Sequence, residues 1–106
     1  MAETEHHERR QHKRIHFFKE VEVPGVGILR CSDLSLGGMF LETVHPYSVG
    51  TILPLQFKLR VTDEHPISVQ ARVVYEHEGM GVGLCFSSLK LEDRQKIEKF
   101  IEQAKK

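Results

Sequence analysis

Two groups of polar residues in this 106-residue sequence could bind an anionic ligand. The first is the segment ERRQHKR, which places Arg9, Arg10, Lys13 and Arg14 within six positions and without an acidic residue among them. Two guanidinium groups spaced as in Arg10-x-x-x-Arg14 can each donate two hydrogen bonds to a phosphate or to the O6/N7 edge of guanine, and they can stack on a base. A short basic run is also typical of a solvated segment, so this motif alone leaves both interpretations open.

The second group is the segment SDLSLGG, in which Asp33, Ser35 and Gly38 form a D-x-S-x-x-G motif. Asp and Ser commonly hydrogen-bond to the backbone in turns, and a pair of glycines accommodates positive φ, so the motif is typical of a turn between two strands. In a binding site, a fixed carboxylate would accept hydrogen bonds from the N1–H and exocyclic amine of guanine. The serine hydroxyl could serve the same base or a nearby phosphate.

The composition is that of one small globular domain without a broad surface for nucleic acid. The sequence contains 15 Lys+Arg and 15 Asp+Glu residues, and 40% of its residues are hydrophobic. It has six Phe, two Tyr and no Trp. A single-stranded nucleic-acid module needs basic and aromatic residues spread over its surface, so nucleic-acid binding is the less favoured interpretation.

Neither a membrane segment nor a secretory signal is expected. The sequence contains no run approaching the ~18 consecutive apolar residues of a membrane-spanning helix. Its polar, charged first fourteen residues lack the apolar stretch of a signal peptide. We therefore expect a cytoplasmic protein that does not insert into a membrane.

The cysteines and histidines predict neither a metal site nor an enzyme. Cys31 and Cys85 are isolated and flanked by apolar residues, so we expect both to be reduced and mostly buried. The seven histidines lack the spacing of metal ligands. Ser35 has no evident His/Asp partnership, so we expect no catalytic site and no cofactor.

Six strands and one helix are predicted to position these polar residues. Residues 1–14 contain almost no apolar side chains, which predicts a flexible basic arm. Aromatic and β-branched segments bounded by turn residues predict strands at 15–24, 26–33, 37–43, 51–60, 66–75 and 79–86. Apolar residues with the spacing i, i+3, i+4 and i+7 predict an amphipathic helix over about 89–105; they are Ile97, Phe100, Ile101 and Ala104.

Period-two alternation predicts which strand residues face the core. In the fourth and fifth strands they are Leu53, Leu55, Phe57, Leu59, Ile67, Val69, Ala71, Val73 and Tyr75. In the sixth strand they are Met80, Val82, Leu84 and Phe86. The alternate Gly79, Gly81 and Gly83 would let another backbone or a ligand approach the opposite face. The predicted fold class is therefore mostly β, a six-stranded antiparallel β-barrel capped by one C-terminal helix.

The order of these features resembles the PilZ family, bacterial domains that bind the second messenger cyclic di-GMP. R-x-x-x-R stands just before the first strand, D-x-S-x-x-G follows the second strand, and GMGVGLCF and the helix come after them. The resemblance extends from about Arg9 to Ile101. It implies a six-stranded barrel over 15–106 that is preceded by a basic switch arm over 1–14.

The resemblance also implies a ligand site. It assigns contacts with phosphates and guanine edges to Arg10 and Arg14, and it places a guanine on the loop of Asp33, Ser35 and Gly38. The residue before the R-x-x-x-R pair, here Arg9, influences in PilZ domains whether one ligand or an intercalated pair is bound. Many relatives carry a polar or basic residue where this sequence has Gly83, so a contact made from that position would be missing.

The function implied by the resemblance is that of a cyclic di-GMP receptor without catalytic activity. Its arm would become ordered over the ligand and change the surface presented to an unidentified downstream protein. The alternatives are a PilZ-fold adaptor that binds proteins but no ligand, and a small single-stranded nucleic-acid module. The sequence leaves open whether the protein is a monomer or a homodimer.

Overall fold

The computed structural model describes residues 13–104, which form a closed barrel and one helix. The strands are β1 (Ile15–Val23), β2 (Gly27–Leu34), β3 (Gly38–Glu42), β4 (Ile52–Phe57), β5 (Ile67–His77) and β6 (Gly81–Phe86), and helix α1 (Leu91–Ala104) follows them. Strands pair in the order β1–β2–β3–β6–β5–β4, and every pairing is antiparallel. The barrel closes between β1 and β4 through the pair Glu22–Gln56. The predicted six-stranded antiparallel barrel with a C-terminal helix is confirmed.

The predicted N-terminal arm falls mostly outside the described residues. Of residues 1–14, the structure describes Lys13 and Arg14, which lead directly into β1. Arg9 and Arg10 lie outside the described part of the chain.

The barrel interior is filled by the residues that alternation places there. Those of β4 and β5 that are buried as predicted are Leu53, Leu55, Phe57, Ile67, Val69, Ala71 and Val73. The equivalent positions of the other strands complete one continuous core, and Cys31 is part of it. Cys31 is buried, as predicted, and burial raises the pKa of its thiol to about 12, so this thiol is neutral at physiological pH.

Helix α1 packs on the barrel with one apolar face. Ile97 and Ile101 are buried, and the ring of Phe100 meets Phe17 of β1 edge-on with 5.6 Å between ring centroids. The fourth residue of the predicted helical stripe, Ala104, is exposed at the end of the helix. The helix therefore packs against the beginning of β1, three residues after Arg14.

Three β-bulges interrupt the pairing of the described strands, and each makes one strand a residue longer than its partner. In β1 the bulge lies between His16 and Lys19, in β2 it lies at Ser32, and in β5 it lies at Val74. A bulge of this kind turns the following side chains of the strand to the opposite face of the sheet. In β2 and β5 the bulges therefore decide which of the following residues face the solvent, whereas in β1 the buried residues Phe17, Val21 and Val23 keep the same alternation across the irregularity.

Three residues of the predicted strands that were expected to be buried are exposed. Tyr75 is 41% exposed because the bulge at Val74 moves it to the outer face of β5. Met80 is 64% exposed because it lies in the turn that precedes β6 rather than within the strand. Cys85 is exposed, although we predicted it to be mostly buried, because it alternates with the inward-facing Leu84.

Candidate functional site

The carboxylate of Asp33 points out of the barrel and is fixed there by the backbone of the neighbouring strand. Without a bulge, Asp33 would share the inward face of the fully buried Cys31; the bulge at Ser32 turns it outward. Its Oδ1 atom accepts a hydrogen bond from the backbone N–H of Phe40, with a length of 3.1 Å. A carboxylate held in this way can accept further donors from a ligand without first being ordered.

Arg14 contacts the same carboxylate. Its Nη1 atom lies 2.6 Å from Oδ1 of Asp33, and the two side chains are 30% and 31% exposed. The contact joins one arginine of the R-x-x-x-R motif to the aspartate of the D-x-S-x-x-G motif, across nineteen positions of sequence. Because both groups are partly exposed, the ion pair contributes no more than about 1 kcal/mol to stability.

Ser35 organises the turn between β2 and β3. Its Oγ atom accepts hydrogen bonds from the N–H groups of Gly37 and Gly38, at 3.1 and 3.2 Å, and its own N–H donates to the carbonyl of Gly38 at 2.8 Å. The residue is only 3% exposed. The hydroxyl therefore has a structural function in the turn, and its predicted contact with a ligand stays a prediction.

Gly38 is needed for space rather than for an unusual φ. A Cβ atom at this position would collide with the backbone carbonyl of Leu84 on the adjacent strand β6. The sequence suggested that the Gly37–Gly38 pair adopts positive φ, but neither residue does. The glycine thus allows β3 to begin in close contact with β6, and a direct contact between Gly38 and a ligand also stays a prediction.

A shallow depression borders Asp33 on the side of Arg14. It has a volume of about 420 Å³ and is lined by Arg14, Ile15, His16, Asp33 and Ala104. Depressions of 340 to 470 Å³ occur elsewhere on the described surface, one of them between β1 and β4. Volume alone therefore does not distinguish this depression from the others, and the candidate site is defined by the contact between Arg14 and Asp33.

Aromatic side chains near Asp33 were not singled out from the sequence. Phe40 is the cross-strand partner of Asp33, and its ring lies among those of Tyr75 and His77. Phe40 could have been found from the sequence, because it alternates with Met39 and Leu41, which are both buried. Tyr75 could not, because its outward direction depends on a bulge.

Within residues 13–104, no three His, Cys, Asp or Glu side chains are grouped so that they could hold a metal ion. In the same part of the chain, no helix has the length and apolar character needed to cross a membrane. Neither Cys31 nor Cys85 forms a disulfide.

The sequence profile of the PilZ domain matches residues 8–103, almost the entire chain. The chain belongs to the PilZ domain family. The match includes all of the residues that we predicted to form the site, from Arg9 to Gly38. No match was found among curated protein sequences.

Solved structures share the fold of this PilZ domain at low sequence identity. The Bacillus subtilis inhibitor of motility MotI/DgrA has a TM-score of 0.76 and 21% identity, over 91% of this chain and 51% of that chain. Escherichia coli YcgR, solved in complex with c-di-GMP, has a TM-score of 0.69 and 17% identity, over 92% of this chain and 46% of that chain. This chain thus spans about half the length of either protein.

A third structure is itself a PilZ domain of similar length. It is the PilZ domain of CeSA from a cellulose-synthesizing bacterium, with a TM-score of 0.59 and 21% identity over 89% of this chain and 99% of that chain. At these levels of identity the three structures establish that the barrel and helix are shared.

Proposed function

We propose that this PilZ domain is a receptor for cyclic di-GMP rather than an enzyme. The observation that carries the proposal is the contact of 2.6 Å between Arg14 and Asp33, because it brings the two polar motifs of the sequence together at one point on the surface. A guanidinium beside a carboxylate offers donors for a phosphate and acceptors for the N–H groups of guanine. The complex of YcgR with c-di-GMP supports the same ligand.

In this proposal Asp33 binds the Watson–Crick edge of a guanine. Arg14 moves from the carboxylate to a phosphate or to the O6/N7 edge of a base, and Arg10 and Arg9 supply further contacts of the same kind. Ser35 and Gly38 maintain the turn that directs Asp33, with ligand contacts of their own as a further prediction. An arginine at position 9 could also stack on a second guanine, which would allow an intercalated pair of ligands.

The proposed signal is a change of surface. Residues 1–14 would act as a switch arm that becomes ordered over the ligand, while residues 15–106 provide the barrel and helix. Ordering the arm lowers the net affinity, so binding should depend strongly on its few arginines. The changed surface would then be recognised by a downstream protein.

The test is a calorimetric titration of the protein with cyclic di-GMP, with GMP and a short RNA as controls. Binding at micromolar or lower concentration to the cyclic dinucleotide alone is expected, and the stoichiometry distinguishes one ligand from a pair. Replacing Arg10 or Arg14 by Ala should weaken binding by about 2 kcal/mol, or about 30-fold. Salt-dependent binding to RNA alone would indicate a nucleic-acid module, and no heat with any of the three would indicate a protein-binding adaptor.

A further inference from the structure

Four residues on neighbouring strands form one row across the outside of the barrel. The register pairs Asp33 with Phe40, Phe40 with Gly83, and Gly83 with Tyr75. Directly paired residues of antiparallel strands project to the same side, with their Cβ atoms about 5 Å apart. The row therefore places a carboxylate, a phenyl ring, a residue without a side chain and a phenol ring side by side on β2, β3, β6 and β5.

The aromatic rings of this row lie over the glycines of β6. The ring centroids of Phe40 and Tyr75 are 6.2 Å apart, and the ring planes differ by 29°. A Cβ atom on Gly83 would collide with the ring of Tyr75, and one on Gly81 would approach the ring of Phe40 to 2.7 Å. The rings therefore occupy the space that side chains on β6 would take.

The ring of His77 on β5 packs beside the rings of Phe40 and Tyr75. Its ring centroid lies 5.8 Å from that of Phe40 and 5.2 Å from that of Tyr75. The three rings pack against one another, so a flat ligand would contact an aromatic surface that is already ordered. Preorganisation of this kind reduces the entropy lost when a ligand binds.

We propose that Phe40 and Tyr75 form a shelf on which a guanine base stacks while Asp33 holds its edge. The carboxylate selects the base, because a pair of adjacent N–H donors is found on the Watson–Crick edge of guanine and not on that of adenine. The rings bind the face of the base, and stacking on aromatic side chains is the usual way in which proteins hold an unpaired base.

One residue links the two contacts. The backbone N–H of Phe40 fixes Oδ1 of Asp33 at 3.1 Å, and the side chain of the same residue provides the ring. In this proposal, the plane of the base is set by Phe40 and its edge by Asp33, and these two residues are hydrogen-bonded to each other. The shelf rests on the proposed function, because it assigns the face of the same ligand whose edge is assigned to Asp33.

The test combines affinities with a direct measurement on the unmodified protein. Cyclic di-GMP is titrated calorimetrically into the wild type, Phe40→Leu and Tyr75→Leu, with Tyr47→Leu as the matched control. Tyr47 is the other tyrosine of the chain and packs on His45 in the loop after β3, away from the shelf. We expect Phe40→Leu to raise the Kd about 10-fold or more, Tyr75→Leu to raise it severalfold, and Tyr47→Leu to leave it within twofold.

Nuclear Overhauser effects between the guanine H8 proton and the ring protons of Phe40 test the contact without any substitution. Wild-type binding with these effects, and with the expected loss in Phe40→Leu, supports the shelf. Wild-type binding without them, or with an unchanged Kd in a folded Phe40→Leu variant, overturns the shelf and leaves the receptor function intact. No binding of cyclic di-GMP by the wild type overturns both.

Discussion

Replacing Asp33 by Asn tests the centre of the proposed site with little disturbance of the fold. The amide oxygen of Asn can still accept the hydrogen bond from the N–H of Phe40, which the Oδ1 atom of Asp33 accepts at 3.1 Å. The other side-chain atom then becomes an NH₂ group. It would face the N–H donors of guanine and leave one of them without an acceptor.

The expected loss of affinity follows from two opposing contributions. Two charge-assisted hydrogen bonds become at best one neutral bond, which costs about 3 kcal/mol. The free wild-type protein must first separate Arg14 from Asp33, and for side chains that are 30% and 31% exposed this costs about 1 kcal/mol. The Asn variant avoids that cost, so the net loss is about 2 kcal/mol, or about 30-fold in Kd.

The assay is calorimetric titration with cyclic di-GMP and with cyclic di-AMP, which has the same phosphates but lacks adjacent N–H donors on its bases. The wild type should prefer cyclic di-GMP, and Asp33→Asn should lose most of that preference. The matched control is Asp63→Asn, because the Asp63 carboxylate also accepts a backbone N–H at 3.1 Å, from Arg60, but lies in the turn between β4 and β5. The control should bind like the wild type.

A folded Asp33→Asn variant that binds cyclic di-GMP within threefold of the wild type would show that Asp33 does not bind the guanine edge. Folding is checked by thermal unfolding. Loss of an ion pair worth about 1 kcal/mol should lower the Tm by no more than about 4–8 °C in a domain of this size.

Two further predictions concern the fold. Gly38→Ala should destabilise the domain by about 3 kcal/mol, because the added Cβ meets the Leu84 carbonyl; Gly25→Ala has open space and should cost only about 1 kcal/mol for its positive φ. Equal losses in denaturant unfolding would contradict this explanation. In thiol titration with a chromogenic disulfide at pH 8, the exposed Cys85 should react fast, and Cys31 should react at the rate of unfolding, because burial raises its pKa to about 12. Two fast thiols in the native protein would show that the barrel opens near Cys31.

The regular parts of the barrel could be predicted from local pattern, and the site could be predicted only in part. The alternation from Leu53 to Phe57 and from Ile67 to Val73 is uninterrupted, and its prediction of the core is confirmed. Tyr75 was assigned to the wrong face because the extra residue at Val74 depends on how β5 pairs with β6. A single strand carries no information on such a bulge, since its position is set by the partner strand.

The site illustrates the same limit. The D-x-S-x-x-G motif was visible in the sequence, but alternation from the buried Cys31 would have directed Asp33 into the core. The contact between Arg14 and Asp33 joins residues nineteen positions apart, so it requires the register of β1 against β2. The outward direction of Phe40 could be predicted from its alternation with Met39 and Leu41. An aromatic residue in a strand nevertheless does not indicate a ligand until its neighbours on other strands are known.

The residues of the D-x-S-x-x-G motif serve two different purposes, because Ser35 and Gly38 stabilise the turn whereas Asp33 presents its carboxylate at the surface. Ser35 accepts hydrogen bonds from two backbone N–H groups, and Gly38 leaves room for the carbonyl of Leu84, so both residues stabilise the turn whether or not a nucleotide is bound. A descendant that had lost the ligand would therefore still carry them. Under the proposed function, the arginines and the charge of Asp33 are the parts of the two motifs that serve the ligand, so their identity is the better guide to which barrels of this shape bind the messenger.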